Sequence, residues 1–114
     1  MSYKLITREE LRQDGNYYEF EGHQFGGTNI SFILVDVPPG GGPRLHSHPY
    51  EEVFIVQEGQ ATFTIGATTL EVKAGNIVIA PPEVPHKFIN SGEGRLRQVD
   101  IHLSGQMITK WLED

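Results

Sequence analysis

The segment GGGPRLHSHPYEEV, residues 40–53, decides how the rest of the chain is interpreted. In extended backbone, side chains two residues apart point to the same face, so His46 and His48 present two imidazoles side by side, and Glu52 has the same parity. A third histidine, His86, opens a predicted strand after the proline-rich turn at residues 80–85. Imidazole and carboxylate ligands suit one divalent transition metal, namely Fe, Mn, Ni or Zn. The alternative is a set of histidines that only hydrogen-bond to backbone.

Outward from this segment the chain has the pattern of an all-β protein. Short runs of β-branched and aromatic residues with period two are separated by Gly, Pro and Asn clusters, which predicts a sandwich or a closed barrel. The predicted strands are Tyr17–Phe25, Asn29–Val37, Glu52–Gln57, Gln60–Ile65, Thr68–Val72, Asn76–Ala80, His86–Ile89 and Leu96–Leu103. Short helices are predicted at the two ends, over Arg8–Gln13 after a capping box and over Met107–Leu112 from an apolar stripe.

Length and composition limit the function classes. The 114 residues fit a single domain, residues 1–114, and the chain has no cysteine, so any metal needs N and O ligands and a cytoplasmic location is expected. Fifteen acidic and nine scattered basic residues give a formal charge of −6, which argues against nucleic acid as a partner. We expect no membrane partner, because the longest uninterrupted apolar run is far too short to span a bilayer.

Two motifs resemble those of small single-domain cupins. The first motif, G-x5-H-x-H-x3-E-x6-G, is matched at every fixed position by Gly40, His46, His48, Glu52 and Gly59. The second, G-x5-P-x-G-x2-H-x3-N, is matched by Gly75, Pro81, His86 and Asn90. One position departs, because Glu83 stands where the family has a glycine in a tight turn. That difference predicts either modest backbone strain or a differently shaped turn.

The resemblance implies a cupin-type double-stranded β-helix, a jelly-roll barrel that holds one metal ion. The ligands would be His46, His48, Glu52 and His86, with the remaining coordination positions open to water or substrate. One carboxylate against a divalent ion leaves the site near +1, so anionic oxygen ligands are expected. The motifs identify a fold and a metal site, but they do not identify a reaction.

Other residues near the motifs are candidates for the pocket and the chemistry. Phe54, Val56 and Phe88 share parity with a ligand and are expected to line the pocket, and Arg44 is the best candidate for binding an anion. Tyr50 and His102 are the candidate catalytic residues. His102 shares one strand face with Gln98 and Asp100, whereas Val99, Ile101 and Leu103 share the other. An apolar strand face normally packs inside, so His102 is expected to face outward. If it faced inward, it would be an acid or base near the metal.

Several functions fit these features. The favoured one is a metal-dependent oxygenase or oxidoreductase acting on a small oxygen-bearing molecule, and an anionic one fits the charge of the site. The alternatives are a non-redox isomerase, lyase or epimerase on a sugar or keto acid, a non-catalytic ligand-binding module, and a purely structural barrel. The run ISFILV, residues 30–35, is apolar on both strand faces, which predicts coverage of both sides and therefore a homodimer.

Overall fold

The computed structural model describes residues 2–114, whose backbone forms eleven β-strands and two 3₁₀ turns. The strands are β1 Arg12–Asp14, β2 Tyr17–Glu21, β3 Ser31–Val37, β4 His46–Ser47, β5 Glu52–Glu58, β6 Gln60–Ile65, β7 Thr68–Lys73, β8 Ile77–Ala80, β9 His86–Asn90, β10 Leu96–His102 and β11 Lys110–Trp111. The 3₁₀ turns are Arg8–Glu10 and Gly22–Gln24. In the part of the chain that the structure describes, no helix is long and apolar enough to cross a membrane.

The strands form two antiparallel sheets. The six-stranded sheet has the order β1-β2-β3-β10-β5-β8, and the five-stranded sheet has the order β11-β4-β9-β6-β7. Because the two sheets are built from strands that alternate along the chain, the hydrophobic residues between them come from both halves of the sequence. The predicted all-β barrel is confirmed, and each of the eight predicted strands overlaps an observed one.

The two predicted terminal helices are largely absent. At the start, the capping box of Thr7 and Glu10 forms, but it caps only the 3₁₀ turn, and the chain then enters β1, which pairs with β2. The predicted helix over Met107–Leu112 is wrong, because this segment is extended and its residues Lys110 and Trp111 pair with β4. Hydrogen bonds to distant backbone replace those a helix would have made, so tertiary contacts override the local apolar spacing.

An aromatic cluster fills the space between the sheets at one end of the barrel. Phe54 of β5 and Phe63 of β6 meet edge to face, with ring centroids 4.9 Å apart, and Phe63 stacks on Phe88 of β9 at 5.4 Å. All three rings are buried. At the other end of the barrel the inward-facing side chains are polar, and this is where the candidate site lies.

Glu83 occupies the turn between β8 and β9 with φ of 67°, the left-handed region that favours glycine, so the structure confirms strain at this position. Replacing Glu83 with Gly should therefore raise the free energy of unfolding, by about 0.5–1 kcal/mol after the greater flexibility of unfolded glycine is subtracted. Urea denaturation of the two proteins measures the difference. A lower stability in Glu83→Gly would show that contacts of the Glu83 side chain outweigh the backbone strain.

Candidate metal centre and cavity

Four buried side chains converge at the polar end of the barrel. His46, His48, Glu52 and His86 each contribute one potential ligand atom, and these atoms all lie within 4.8 Å of one another. His46 on β4 pairs directly with His86, the first residue of β9, whereas Glu52 is the first residue of β5. The structure therefore brings together the four residues that the sequence motifs single out.

Backbone carbonyls orient the three imidazoles. Nδ1–H of His46 donates to the carbonyl oxygen of Arg44 at 2.7 Å. Nδ1–H of His48 donates to that of Ile108 at 2.8 Å, and Nδ1–H of His86 donates to that of Val84 at 3.1 Å. Since a carbonyl can only accept, each neutral imidazole carries its hydrogen on Nδ1 and has a lone pair on Nε2. Such partners on the second ring nitrogen are characteristic of histidines that ligate metals.

With each neutral imidazole carrying its hydrogen on Nδ1, no hydrogen is left between the inner atoms of the cluster, although Nε2 of His86 and Oε1 of Glu52 have the geometry of a hydrogen bond. Oε1 of Glu52 lies 3.1 Å from Nε2 of His48 and 3.0 Å from Nε2 of His86, yet all three atoms are acceptors in the tautomers that the carbonyls fix. Nε2 of His48 is buried and has no hydrogen-bond partner among the residues that the structure describes. Lone pairs that face one another in a buried site need a cation or added protons between them, so the donor set and its geometry fit a divalent metal ion.

The charge states of two members agree with a ligand role. Burial lowers the pKa of His46 to about 4, so this imidazole is neutral at pH 7. Burial alone would raise the pKa of Glu52, but its side-chain contacts, foremost the one with His102, hold that pKa well below the usual range. At neutral pH the cluster thus offers a neutral imidazole at His46 and a carboxylate at Glu52, the forms in which these groups bind metals.

His102 faces the cavity, so the expectation that the polar face of β10 points outward is wrong. Gln98, Asp100 and His102 are buried, whereas Val99 and Ile101 are only partly covered on the outer face. Nε2 of His102 lies 3.1 Å from Oε2 of Glu52 without the alignment of a hydrogen bond. The apolar face lies outside because the inner face lines a polar cavity rather than the apolar core.

Tyr50 is hydrogen-bonded to Nδ1 of His102, the ring nitrogen that does not contact Glu52. The backbone N–H of Ile108 donates to the Tyr50 oxygen at 3.0 Å, so the Tyr50 hydroxyl is free to donate to Nδ1 of His102, 2.6 Å away. Burial raises the pKa of Tyr50 to about 12, so the hydroxyl keeps its proton at pH 7. In this arrangement the hydrogen of a neutral His102 is on Nε2, toward the cavity.

Asp100 is a cavity residue that sequence reasoning missed. It is 3% exposed, and its Oδ1 accepts a hydrogen bond from Nε2 of Gln98 at 2.7 Å. Burial and the nearby charge of Glu52 raise the pKa of Asp100 well above its usual range. The sequence does contain a signal: Asp100 is two residues before His102 on the same strand, so both side chains face the same way.

Replacing Asp100 with Asn should stabilise the protein at neutral pH. A group whose pKa is higher in the folded than in the unfolded state stabilises the fold at low pH, and this contribution disappears as the pH rises through the folded pKa. The gain from Asp100→Asn should therefore be small near pH 4 and grow by about 1.4 kcal/mol per pH unit while only unfolded Asp100 is ionised. Urea unfolding from pH 4 to 8 measures this; a gain that does not change with pH would contradict it.

A cavity of about 530 Å³ opens beside the four convergent side chains. Phe54 and Phe88 line it as expected, together with His102 and Asp100. Two expected members lie elsewhere: Val56 is part of the apolar core, and Arg44 is exposed with its guanidinium 4.8 Å above the ring of Trp111. Arg44 points away because cation–π stacking on Trp111 holds it at the surface.

Sequence comparisons agree with this geometry. The family model described as "Cupin domain" matches residues 33–102. An uncharacterised protein of Methanocaldococcus jannaschii is 34% identical over 74 residues, 64% of this chain and 59% of that protein. H2HPP isomerase of Bacillus subtilis is 31% identical over 77 residues, 67% of this chain and 32% of the enzyme. The chain thus spans less than two thirds of the length of these two relatives.

Solved structures share the fold. A protein with a double-stranded β-helix domain from Klebsiella pneumoniae superposes with a TM-score of 0.75 at 22% identity, covering 99% of this chain and all of that one. A variant of Bacillus subtilis oxalate decarboxylase superposes with a TM-score of 0.77 at 26% identity, covering 84% of this chain and 27% of the enzyme. The double-stranded β-helix expected from the motifs is confirmed.

Proposed function

The chain belongs to the cupin domain family, and from that premise we propose that it is a metal-dependent enzyme that adds a proton to, or removes one from, a small oxygen-bearing molecule. The placement of His102 carries this proposal. A buried imidazole with a hydrogen facing the cavity lies beside Glu52, one of the four candidate ligands. A non-redox isomerase or lyase needs such an acid or base, and the motifs alone do not provide one.

The four convergent residues would hold one divalent ion, of Fe, Mn, Ni or Zn. When bound, such an ion supplies Lewis-acid polarisation of a substrate carbonyl or enolate oxygen. These four residues would leave room on an ion that takes more than four ligands, so a small molecule would be able to bind beside His102. The absence of cysteine, which restricts the ligands to N and O, also fits the cytoplasmic location that we propose.

His102 would transfer the proton and Tyr50 would position it. Nε2–H of His102 faces the cavity, and the Tyr50 hydroxyl bonded to Nδ1 selects this tautomer and fixes the ring. Phe54 and Phe88 form apolar walls beside the ligands, which lower the local dielectric and strengthen interactions with developing charge. The relatives fit this chemistry to the extent of their names, since one is an isomerase and another a decarboxylase.

Proton transfer can be tested without knowledge of the natural substrate. The metal-loaded protein is incubated without oxygen in D₂O with a panel of keto acids and keto sugars, and NMR follows exchange of hydrogens next to each carbonyl. We expect exchange on at least one compound, and a loss of about 100-fold in His102→Gln at unchanged metal content, as is usual when an acid or base is removed. Exchange at the wild-type rate in His102→Gln would overturn the role of His102.

The oxygenase favoured by the sequence is the second candidate, because the same four residues would hold a redox-active ion that supplies oxygen chemistry beside the apolar walls. Oxygen uptake over a panel of enols, diketones and phenols tests it. Uptake without any anaerobic exchange would replace the first proposal with the second. A metabolite retained in native mass spectrometry, with neither exchange nor uptake, would instead indicate the non-catalytic binding module.

We further propose a homodimer formed through the outer face of the six-stranded sheet. Two rows of cross-strand neighbours on this face are apolar throughout: Tyr18, Leu34, Val99, Ile55 and Ile77 in one, and Phe20, Phe32, Ile101, Val53 and Ile79 in the other. None of the ten carries a charge, so two copies can pack face to face without opposing like charges. Phe20 is buried under Phe25, and the exposed members of the two rows are Ile77 and Ile79, at 64% and 55%. Large apolar side chains exposed side by side are typical of an interface.

Replacing Ile77 with Lys should convert the dimer to a monomer. Ile77 is 64% exposed, so the folded chain tolerates the lysine, whereas a dimer would bury an unpaired charge. Sedimentation equilibrium gives the mass of each protein, and Ile89→Lys, at a 46% exposed isoleucine of the other sheet, is the matched control. A monomeric wild type, or a dimer in Ile77→Lys, would contradict this interface.

A further inference from the structure

The cavity wall on the side of β1 and β2 is acidic, and the proposed reaction gives these residues no role. Along β2 the side chains alternate, so Glu19 and Glu21 face the cavity while Tyr18 and Phe20 face outward. Asp14 of β1 joins the two glutamates in the lining. Three carboxylates therefore lie along one wall of the cavity, at the edge of the six-stranded sheet.

These carboxylates are only partly compensated by their neighbours. Oε2 of Glu21 accepts a hydrogen bond from the backbone N–H of Met107 at 2.9 Å. Glu19 lies 3.6 Å from Nη1 of Arg12, but that guanidinium is 72% exposed, whereas the Glu19 side chain is 17% exposed. Burial raises the pKa of Glu19 in spite of Arg12, as expected for a carboxylate with too few donors. The half-exposed His23 also lies close, with its Nε2 3.5 Å from Oε2 of Glu21. Two basic side chains against three carboxylates still leave this wall acidic.

The opposite end of the cavity carries the other sign once a divalent ion is bound. Two positive charges against the carboxylate of Glu52 leave the metal end near +1. At this end, Nε2 of His102 lies 3.1 Å from Oε2 of Glu52 and has no hydrogen-bond partner among residues 2–114. An unpartnered polar atom in the lining of a cavity of about 530 Å³ indicates a polar ligand at this end.

We propose that the cavity binds a small molecule with opposite charges at its two ends. An anionic oxygen group would bind at the metal end, and a protonated amine would donate hydrogen bonds to Glu19 and Glu21. A molecule with a second carboxylate at the far end would be rejected, because that group would meet the acidic wall. The inference rests on the proposed metal centre. It keeps the anionic preference expected from the sequence at the metal end and adds a cationic preference at the other end.

Three matched chelators test the selectivity. β-Alanine hydroxamate, butyrohydroxamate and succinic monohydroxamate share one metal-binding group on short chains that end in an ammonium, a methyl and a carboxylate group. Each is titrated into the cobalt(II)-loaded protein, whose visible absorption reports ligand exchange at the ion, after elemental analysis has confirmed the loading. We expect the ammonium compound to bind roughly tenfold or more tightly than the carboxylate compound, as for a partly screened charge contact.

Glu19→Gln removes one charge from the wall, and Glu93→Gln removes the same charge from an exposed loop outside the cavity. The ratio of the two affinities should fall at least threefold in Glu19→Gln and stay unchanged in Glu93→Gln. Equal binding of the three chelators, or tightest binding of the carboxylate compound, would overturn this inference and leave the metal centre standing. Failure to retain cobalt, or to bind any hydroxamate, would overturn the metal centre itself.

Discussion

Glu52→Gln is expected to abolish the binding of divalent metal while the protein remains folded. Glu52 is the only anionic member of the four, and its Oε1 lies close to Nε2 of both His48 and His86. Loss of a hydrogen-bond partner outside the coordination shell lowers metal affinity by up to about 100-fold. Because Glu52 would contact the metal directly, its loss should lower the affinity by more than that. Elemental analysis after gel filtration and a thermal shift on adding metal are the two measurements, since a ligand that binds only the native state raises its melting temperature.

The stability of the metal-free proteins separates loss of metal binding from loss of folding. The glutamine amide can donate to an Nε2 lone pair that a carboxylate cannot satisfy, so metal-free Glu52→Gln should be at least as stable as the metal-free wild type. Glu51→Gln is the control, because Glu51 is the exposed neighbour of Glu52 and is not a member of the cluster. Wild-type metal content in Glu52→Gln would contradict the proposed centre.

Phe63→Ala should cause the largest loss of stability. Phe63 is fully buried between Phe54 and Phe88, and it does not line the cavity. Truncating a buried phenylalanine costs about 3–5 kcal/mol, because burial is lost and the cavity that remains closes only in part. Urea denaturation of the metal-free proteins measures the loss.

Ile89→Ala is the control for this substitution, because Ile89 is on the neighbouring strand but is 46% exposed. Its cost should be below about 1 kcal/mol, as is usual for partly exposed positions. Equal losses in the two variants would show that the aromatic cluster is not the centre of the core.

The sequence predicts the regular strands well where alternation is clear and turns are marked by glycine. Gln60–Ile65 is predicted with its observed bounds, since the next segment begins after a turn at Gly66. Strands β4 and β11 are only two residues long, which is too short to show any period. The segment over Met107–Leu112 has a helical apolar spacing, but its hydrogen-bond partners lie more than fifty residues away in sequence, beyond the reach of any local pattern.

The candidate ligands were predictable because their spacing is local, whereas the orientation of β10 was not. A rule that puts the apolar face inside fails for this strand, because at the polar end the barrel encloses a site rather than a core. The register supplies the missing information: His102 pairs with Glu52, so the two residues point the same way. Asp100 pairs with Phe54 in the same ladder, which explains why an acid lines the cavity.

The bond from Nδ1 of His48 to the carbonyl of Ile108 joins residues sixty positions apart in the sequence. The ring of His48 is therefore fixed only after the segment around Ile108 has packed beside β4. Until then one of the four ligands is free to rotate, so ion binding should follow the docking of this late segment and should slow if the segment is loosened.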